Sequence, residues 1–379
     1  MNIVVAPDSY KGSLTALEVA SVMKRAINDL DKLHQVIVKP MADGGEGTID
    51  TMLAATEGQR ITITCTGPLG KKINTFYAVT NDETVIIEVA NISGLVQVPE
   101  ADRNPERTTT YGIGEVIKDG LEKGYRKFII GLGGSATNDG GLGMLQALGL
   151  KANDQDGKAV GSFGSDLFNI NHVNFKGIDK RMSDVDIRVA CDVDNPLCGP
   201  YGSSAVYGPQ KGATPNQVER FDDALQNYAF LVERELGKAY QTIHGAGAAG
   251  GLGFALLTLG GKLESGAELL GGAAGLEKVI RKSDLVITGE GQSDDQTLRG
   301  KAPAYVADLA TKYNIPAVLI SGSLSGDVNA LRLKFAGCFS IINKPLALNQ
   351  CIEQAEQLVY EQTKQVVNLA QCIKDLSNK

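Results

Sequence analysis

Residues 131 to 141 read GLGGSATNDGG and stand where an apolar strand should hand over to a helix. Lys127, Phe128, Ile129 and Ile130 supply the strand, and Leu142, Met144, Leu145, Leu148 and Leu150 supply the apolar side of the helix. Between them lie five glycines with Ser135, Thr137, Asn138 and Asp139, a loop with little side-chain bulk and many backbone N–H groups. Such a loop suits an anion, because glycine lets the backbone approach a phosphate and the helix adds the partial positive charge of its N-terminus. The competing reading is a tight strand-to-helix turn without a ligand. Gly133, Gly134, Ser135, Thr137 and Asn138 are accordingly the candidate phosphate-binding residues.

A chain of 379 residues exceeds one ordinary core and points to two domains. With 43% hydrophobic and 21% charged residues it has a globular composition. The 45 glycines gather beside acids and hydroxyls without forming a repeat, so they read as site-building residues. A net charge of −7 argues against nucleic acid and anionic membranes as partners, while leaving small anions open. Six scattered cysteines and three histidines make neither a disulfide framework nor a metal cluster. MNIVVAPDSY lacks the pattern of a secretory leader, and no apolar run reaches spanning length, so the expected compartment is the cytoplasm.

Taken in order, a strand at residues 3 to 6 ends in PDSYKGSLTALE, where Thr15 and Glu18 form a capping box for the next helix. Asp8, Ser9 and Lys11 thus occupy a loop at a strand's carboxyl end, where open α/β sheets bind ligands. The pattern recurs with a strand at 36 to 38 and then PMADGGEGT, which offers Asp43, Gly44, Gly45 and Glu46. From 61 to 96 the texture alternates as in hairpins, with turns at Gly67-Pro68 and Asn81-Asp82. A helix over 111 to 123 leads into the glycine loop.

The strand at 187 to 190 ends in CDVDNPLCGPYGSS. Alternate residues of an extended chain share a face, so Asp192 and Asp194 could together hold a divalent cation. GAGAAGGLG at 245 to 253 contains G-x-G-x-x-G but lacks a convincing strand before it, and reads as a flexible loop that touches ligand backbone-first. Strands at 285 to 288, 317 to 321 and 338 to 342 alternate with helices. A final amphipathic helix carries Ile352, Ala355, Val359, Val366, Leu369 and Ile373 on one side. TGEGQSDDQTLRGKAP after the first of these strands places Glu290, Asp294, Gln296, Thr297 and Lys301 at another carboxyl end. The expected fold is α/β: a doubly wound parallel domain (1–60 and 281–379) split by an inserted mixed α/β domain (61–280), with the active site in the cleft between them.

Glycine loops, acids, hydroxyls and lysines together are the parts that phosphoryl transfer needs. No Walker A motif is present, since each Gly-Lys pair is followed by Lys, Ala or Leu. APDSYKGSLTA (6–16), PMADGGEGT (40–48), GLGGSATNDGG, ACDVDNPL (190–197) and TGEGQSDDQTLRGKAP (288–303) together resemble the type I glycerate kinase family, in order and over essentially the whole chain. The resemblance implies ATP-dependent phosphorylation of D-glycerate with magnesium, the 2-phosphate being favoured, by a two-domain protein with one flavodoxin-like domain. Within it the expected roles are catalysis by Asp192, Lys11 and Asp8, and glycerate binding by Ser9, Asp43, Gly44, Gly45, Glu290, Gln296, Thr297 and Lys301. Asp192 and Asp194 are expected to hold Mg2+, and the expected partners are ATP and D-glycerate, with a homodimer left open. The chain departs from the family pattern at Tyr10, where Phe is more usual, and at Gln292, Ser293 and Asp295. A glutamine at 292 removes the arginine that a bidentate anion contact would need.

Two other readings compete. Gly131, Gly133 and Ala136 also satisfy the G-x-G-x-x-A of a NAD-dependent oxidoreductase, with Asp154 or Asp156 as the ribose acid. A non-enzymatic binding protein responsive to nucleotide or glycerate would need the loops but not the acids.

Overall fold

The computed structural model describes residues 1–56, 58–298 and 300–377. Arg299, within the last of the quoted motifs, lies outside them. The chain divides into two compact units, one comprising Met1–Asp43, Asp50–Glu57 and Ser265–Lys379, the other Gly44–Ile49 and Gly58–Glu264.

In the first unit five strands form a parallel sheet in the order Gly337–Ser340, Ala317–Ser321, Leu285–Thr288, Asn2–Val5, Gln35–Val38. Ile3 pairs with Leu285 on one side and Val36 on the other, so Asn2–Val5 is an interior strand. Its alternate residues serve opposite faces. Ile3 and Val5 join Leu285, Ile287 and Ile320 against Val19, Met23 and Ile27 of helix Ala16–Leu30 and Val359 and Val366 of helix Ala355–Ser377. Val4 and Ala6 join Val286 and Leu319 against Val306, Leu309 and Ala310 of helix Ala302–Lys312. Both faces are therefore covered, which is why these strands are continuous apolar runs. The Thr15–Glu18 capping box forms: Glu18 N donates to Thr15 Oγ1 at 3.2 Å and Thr15 N to Glu18 Oε2 at 2.8 Å. Such a cap contributes about 1 kcal/mol.

The C-terminal stripe is only partly buried. Ile352 belongs to a separate short helix, Leu348–Glu353, and Leu369 and Ile373 are more than half exposed, so the apolar face is narrower than its spacing suggests.

The second unit is built on a six-stranded mixed sheet in the order Lys262–Glu264, Asp186–Ala190, Lys127–Gly131, Thr84–Glu88, Lys72–Val79, Gln59–Thr66. The hairpins expected from 61 onward form. They do not make a sheet of their own, because Thr84–Glu88 pairs in parallel with Lys127–Gly131 and carries the antiparallel pair onto the strand that feeds the glycine loop. Helix Pro215–Leu236, opened by a Thr214–Gln217 capping box, presses Phe221, Leu225, Tyr228 and Val232 into the core beneath this sheet. No helix among the described residues is long and apolar enough to cross a membrane.

Candidate active site

In the first unit, the chain after Asn2–Val5 and the chain after Leu285–Thr288 run side by side, with Asp8 N donating to Gly289 O at 2.8 Å. A Cβ on Gly289 would sit 1.7 Å from the Ile320 carbonyl oxygen, so only glycine fits there. This contact sets Asp8, Lys11, Asp43 and Glu290 close enough for their charges to act on one another. Burial, and then the neighbouring Asp43, push the Asp8 carboxyl up to about 7, Glu290 adding to the rise and the Ser9 N–H and Lys11 opposing it. Ser9 N bonds Asp8 Oδ1 at 2.6 Å.

Glu290 is buried and serves as the hub. Its Oε1 accepts from Ser293 Oγ at 3.1 Å and Thr297 Oγ1 at 2.5 Å, and its Oε2 lies 3.7 Å from Lys301 Nζ. Lys11 Nζ lies 3.8 Å from Asp43 Oδ2, but the lysine side chain is 83% exposed, so the pair positions weakly. Gln296 stands apart, exposed on a turn whose backbone N–H is taken by Asp294 Oδ1.

The departures from the family pattern each have a local partner. The Tyr10 hydroxyl donates to Ile320 O at 2.7 Å, and burial pushes its ionisation well above the ordinary range. Ser293 bonds both Glu290 and, at 2.7 Å, Ser321. Gln292 Nε2 reaches Ser325 Oγ, and Asp295 accepts the N–H of Asp327.

The 131–141 loop of the second unit is built differently. Gly44 and Gly45 lie against its first half: Gly133 N donates to Gly44 O at 3.1 Å, and a Cβ on Gly133 would come 2.4 Å from Gly45 Cα. Gly134 is exposed, with φ +70°. The N–H groups of Gly134 and Ser135 find no acceptor among the described residues, while the flanking bonds, Leu95 N to Gly134 O and Ala136 N to Ser93 O, fix the segment. Ser135, Thr137 and Asn138 are buried. Asn138 exchanges bonds with Ser203 and Ser204, both at 3.0 Å.

The helix after this loop does not offer its N-terminus to a ligand. Helix Leu142–Ala147 starts only after Gly141, and the buried Asp139 occupies its end, accepting from Gly141 N, Gly143 N and both N and Oγ1 of Thr110. Anion chemistry in this loop therefore rests on Gly134 and Ser135 alone, without the helix end that the sequence suggests.

GAGAAGGLG is not a flexible loop. It is buried, passes through left-handed conformations at Ala249, Gly250 and Gly251, and forms the back of the 131–141 loop. Gly140 N donates to Gly250 O at 2.9 Å, and a Cβ on Gly250 would collide with Thr137 O at 1.9 Å. The dinucleotide alternative fails on position: Asp154 sits in an exposed turn where its Oδ1 accepts Asp156 N and Lys158 N.

Asp192 and Asp194 come after strand Asp186–Ala190 and are exposed. Asp194 Oδ1 lies 3.9 Å from His244 Nδ1. Among the described residues no group of three or more His, Cys, Asp or Glu is arranged to hold a metal ion.

The profile of the Glycerate kinase family matches residues 3–371. The chain belongs to the glycerate kinase family. It is 46% identical over 333 residues to the glycerate 2-kinase of Escherichia coli (strain K12), covering 87% of each chain. It is 44% identical over 360 residues to the glycerate kinase of Haemophilus influenzae, covering 94% of this chain and 95% of that one. A crystal structure from Salmonella typhimurium LT2, assigned as glycerate kinase 2, superposes with a TM-score of 0.89 at 43% identity over 99% of both chains.

In this member of the glycerate kinase family, three further residues shape the site without a motif to announce them. Glu88 is buried at the end of its strand and accepts Gly47 N and Ile49 N, which pins the 44–49 segment. Ser321 ends strand Ala317–Ser321 just before Gly322, the same strand-end signal that exposed Asp8 and Glu290. Lys211, in PQKGAT, reads as an ordinary surface turn, yet it is buried under the glycine loop.

Proposed function

We propose that this chain transfers the γ-phosphoryl group of ATP to a hydroxyl of D-glycerate, giving ADP and phosphoglycerate. The family match over residues 3–371 carries this reading. The 2-phosphate is the proposed product, supported by the name of the Escherichia coli relative.

Asp8 is the proposed base. A carboxyl held near pH 7 can take a proton from a hydroxyl at neutral pH and still be ionised in a large fraction of molecules. In the transfer, the hydroxyl proton passes to Asp8, the freed oxygen bonds the γ-phosphorus, and the bond from that phosphorus to the β–γ bridging oxygen breaks as ADP leaves. Lys11 and Lys301 neutralise the glycerate carboxylate and the moving phosphoryl charge, with Asp43 and Glu290 steadying them. Ser9, Gly44, Gly45 and Thr297 complete the proposed glycerate contacts, and Gln296, which stands apart on its exposed turn, is not among them. Gly134 and Ser135 meet the ATP phosphates through backbone N–H groups, while Gly133, its own N–H taken by Gly44 O, lets the loop pack closely there, and Thr137 and Asn138 hold the loop's shape from behind.

Mg2+ takes one or two carboxylates together with substrate phosphates, and the exposed Asp192 and Asp194 suit that donor set. Bound there, it would neutralise charge on the phosphate oxygens.

The parallel order of the first unit, 2-1-3-4-5 when its strands are counted along the chain, and its helices on both faces support a flavodoxin-like, doubly wound domain interrupted by the second unit. The cytoplasm is the proposed compartment. A coupled assay tests the reaction: ADP should appear only when D-glycerate and Mg-ATP are both present, with product NMR placing the phosphate. Glycerate-dependent change in NADH absorbance without ADP would sink it.

A further inference from the structure

Lys211 lies in the turn Pro209–Lys211 and is 2% exposed. Its ammonium donates to Ser135 Oγ at 3.0 Å and to Thr137 O at 2.6 Å, and no carboxylate pairs with it directly among the described residues. Two hydrogen bonds to neutral acceptors do not require a cation, since a glutamine amide could make them without the desolvation cost that a buried charge carries. The acceptors are the two residues that bracket Ala136, immediately after the Gly134 and Ser135 N–H groups that have no acceptor. The Thr137 hydroxyl beside it is buried and has no hydrogen-bond partner among the described residues.

We propose that Lys211 is the positioning residue of the nucleotide site, clamping Ser135 and Thr137 from beneath so that the loop's free N–H groups are presented to phosphate, and lending its positive charge to the bound anion. This rests on assigning ATP to the 131–141 loop.

The clamp should be protonation-linked. Burial pulls the Lys211 ammonium down to about 7, and the opposing group is the Asp139 carboxylate on the same loop. Below that pH Lys211 is already charged. Above it Lys211 is largely neutral, and a phosphate bound over it raises its affinity for a proton, so binding draws one in.

Calorimetric titration of the whole protein with Mg-ATP, without glycerate, in two buffers of different ionisation heat, counts that proton. Near pH 8 the terminal phosphate is itself deprotonated, so uptake of about one proton per ATP reports on the protein, and it should fall toward zero near pH 6. Asp8 also titrates near 7. Asp8→Asn should therefore keep the uptake, and Lys211→Met should lose it while weakening ATP about tenfold or more near pH 6. ATP binding by the unsubstituted protein with no proton uptake near pH 8 overturns the inference, whether or not Lys211→Met folds. Uptake that vanishes in Asp8→Asn, or persists in Lys211→Met, overturns it equally. No ATP binding at all removes the nucleotide assignment and the inference with it.

Discussion

The two motif-rich regions of this protein use the same residue types in opposite ways. Around Asp8 and Glu290, Gly289, Gly291 and Gly322 are packed against neighbouring backbone and the acids lie close enough to act on one another, so the side chains carry the chemistry. In the 131–141 loop the acid, the amide and the hydroxyls point inward, and only Gly133 and Gly134 reach the surface. Asp139 illustrates the contrast. Burial raises its pKa as it does that of Asp8, but its oxygens are consumed by four donors and have no part left for a substrate. A glycine-rich motif thus identifies a place of close approach without saying whether backbone or side chain does the work.

The largest expected effect breaks the side-chain half. Asp8→Asn should lower kcat by about 10²- to 10⁴-fold, the usual range for losing a general base. The rise of kcat/KM with pH through about 7, where Asp8 gives up its proton, should disappear as well. Stability should move the other way. A carboxyl whose folded-state pKa is raised favours the fold while protonated and costs it as pH climbs from the unfolded value through about 7, so above neutrality the asparagine variant should melt higher than the parent. A lower melting temperature with an unchanged pH profile would make Asp8 structural.

The backbone half breaks at Gly134. At φ +70° a β-branched side chain is strained, and an added Cβ would also stand 3.1 Å from Ala90 Cβ. Gly134→Val should cost about 1–3 kcal/mol in chemical denaturation and weaken ATP at least tenfold in the fraction that remains folded. Normal ATP affinity in that fraction would take the loop out of the nucleotide site.

The smallest effect sharpens the comparison. Asn138→Ala removes the bonds to Ser203 and Ser204 and should destabilise by about 1–3 kcal/mol. KM for ATP should stay within about twofold, because the side chain is turned away from the exposed glycines. A large rise in KM with unchanged stability would show that Asn138 touches the nucleotide.

Much of the fold was legible because it is local. Continuous apolar runs marked the parallel strands, alternation marked the hairpins, and Thr15 with Glu18 marked a helix start. The joining of hairpins to the parallel strands was not legible, since Thr84–Glu88 looks the same whichever neighbour completes its second edge. At the candidate site, strand-end position revealed Asp8, Lys11, Asp43 and Glu290, which depend on sheet topology that periodicity exposes. Lys211 and Glu88 depend on packing between distant segments, and nothing in PQKGAT or the surrounding strand announces it.

The contacts behind the 131–141 loop also bear on the order in which the chain folds. The Lys211–Ser135 bond closes a span of 76 residues, and Gly250 reaches Thr137 from farther still. Long spans pay their closure entropy before their contacts reward it, so this loop is expected to take its shape no earlier than the strands that frame it. Interactions that form after the rate-limiting step leave the barrier to folding where it was. A ligand that braces them therefore prolongs the life of the folded molecule and leaves the speed of its assembly unchanged.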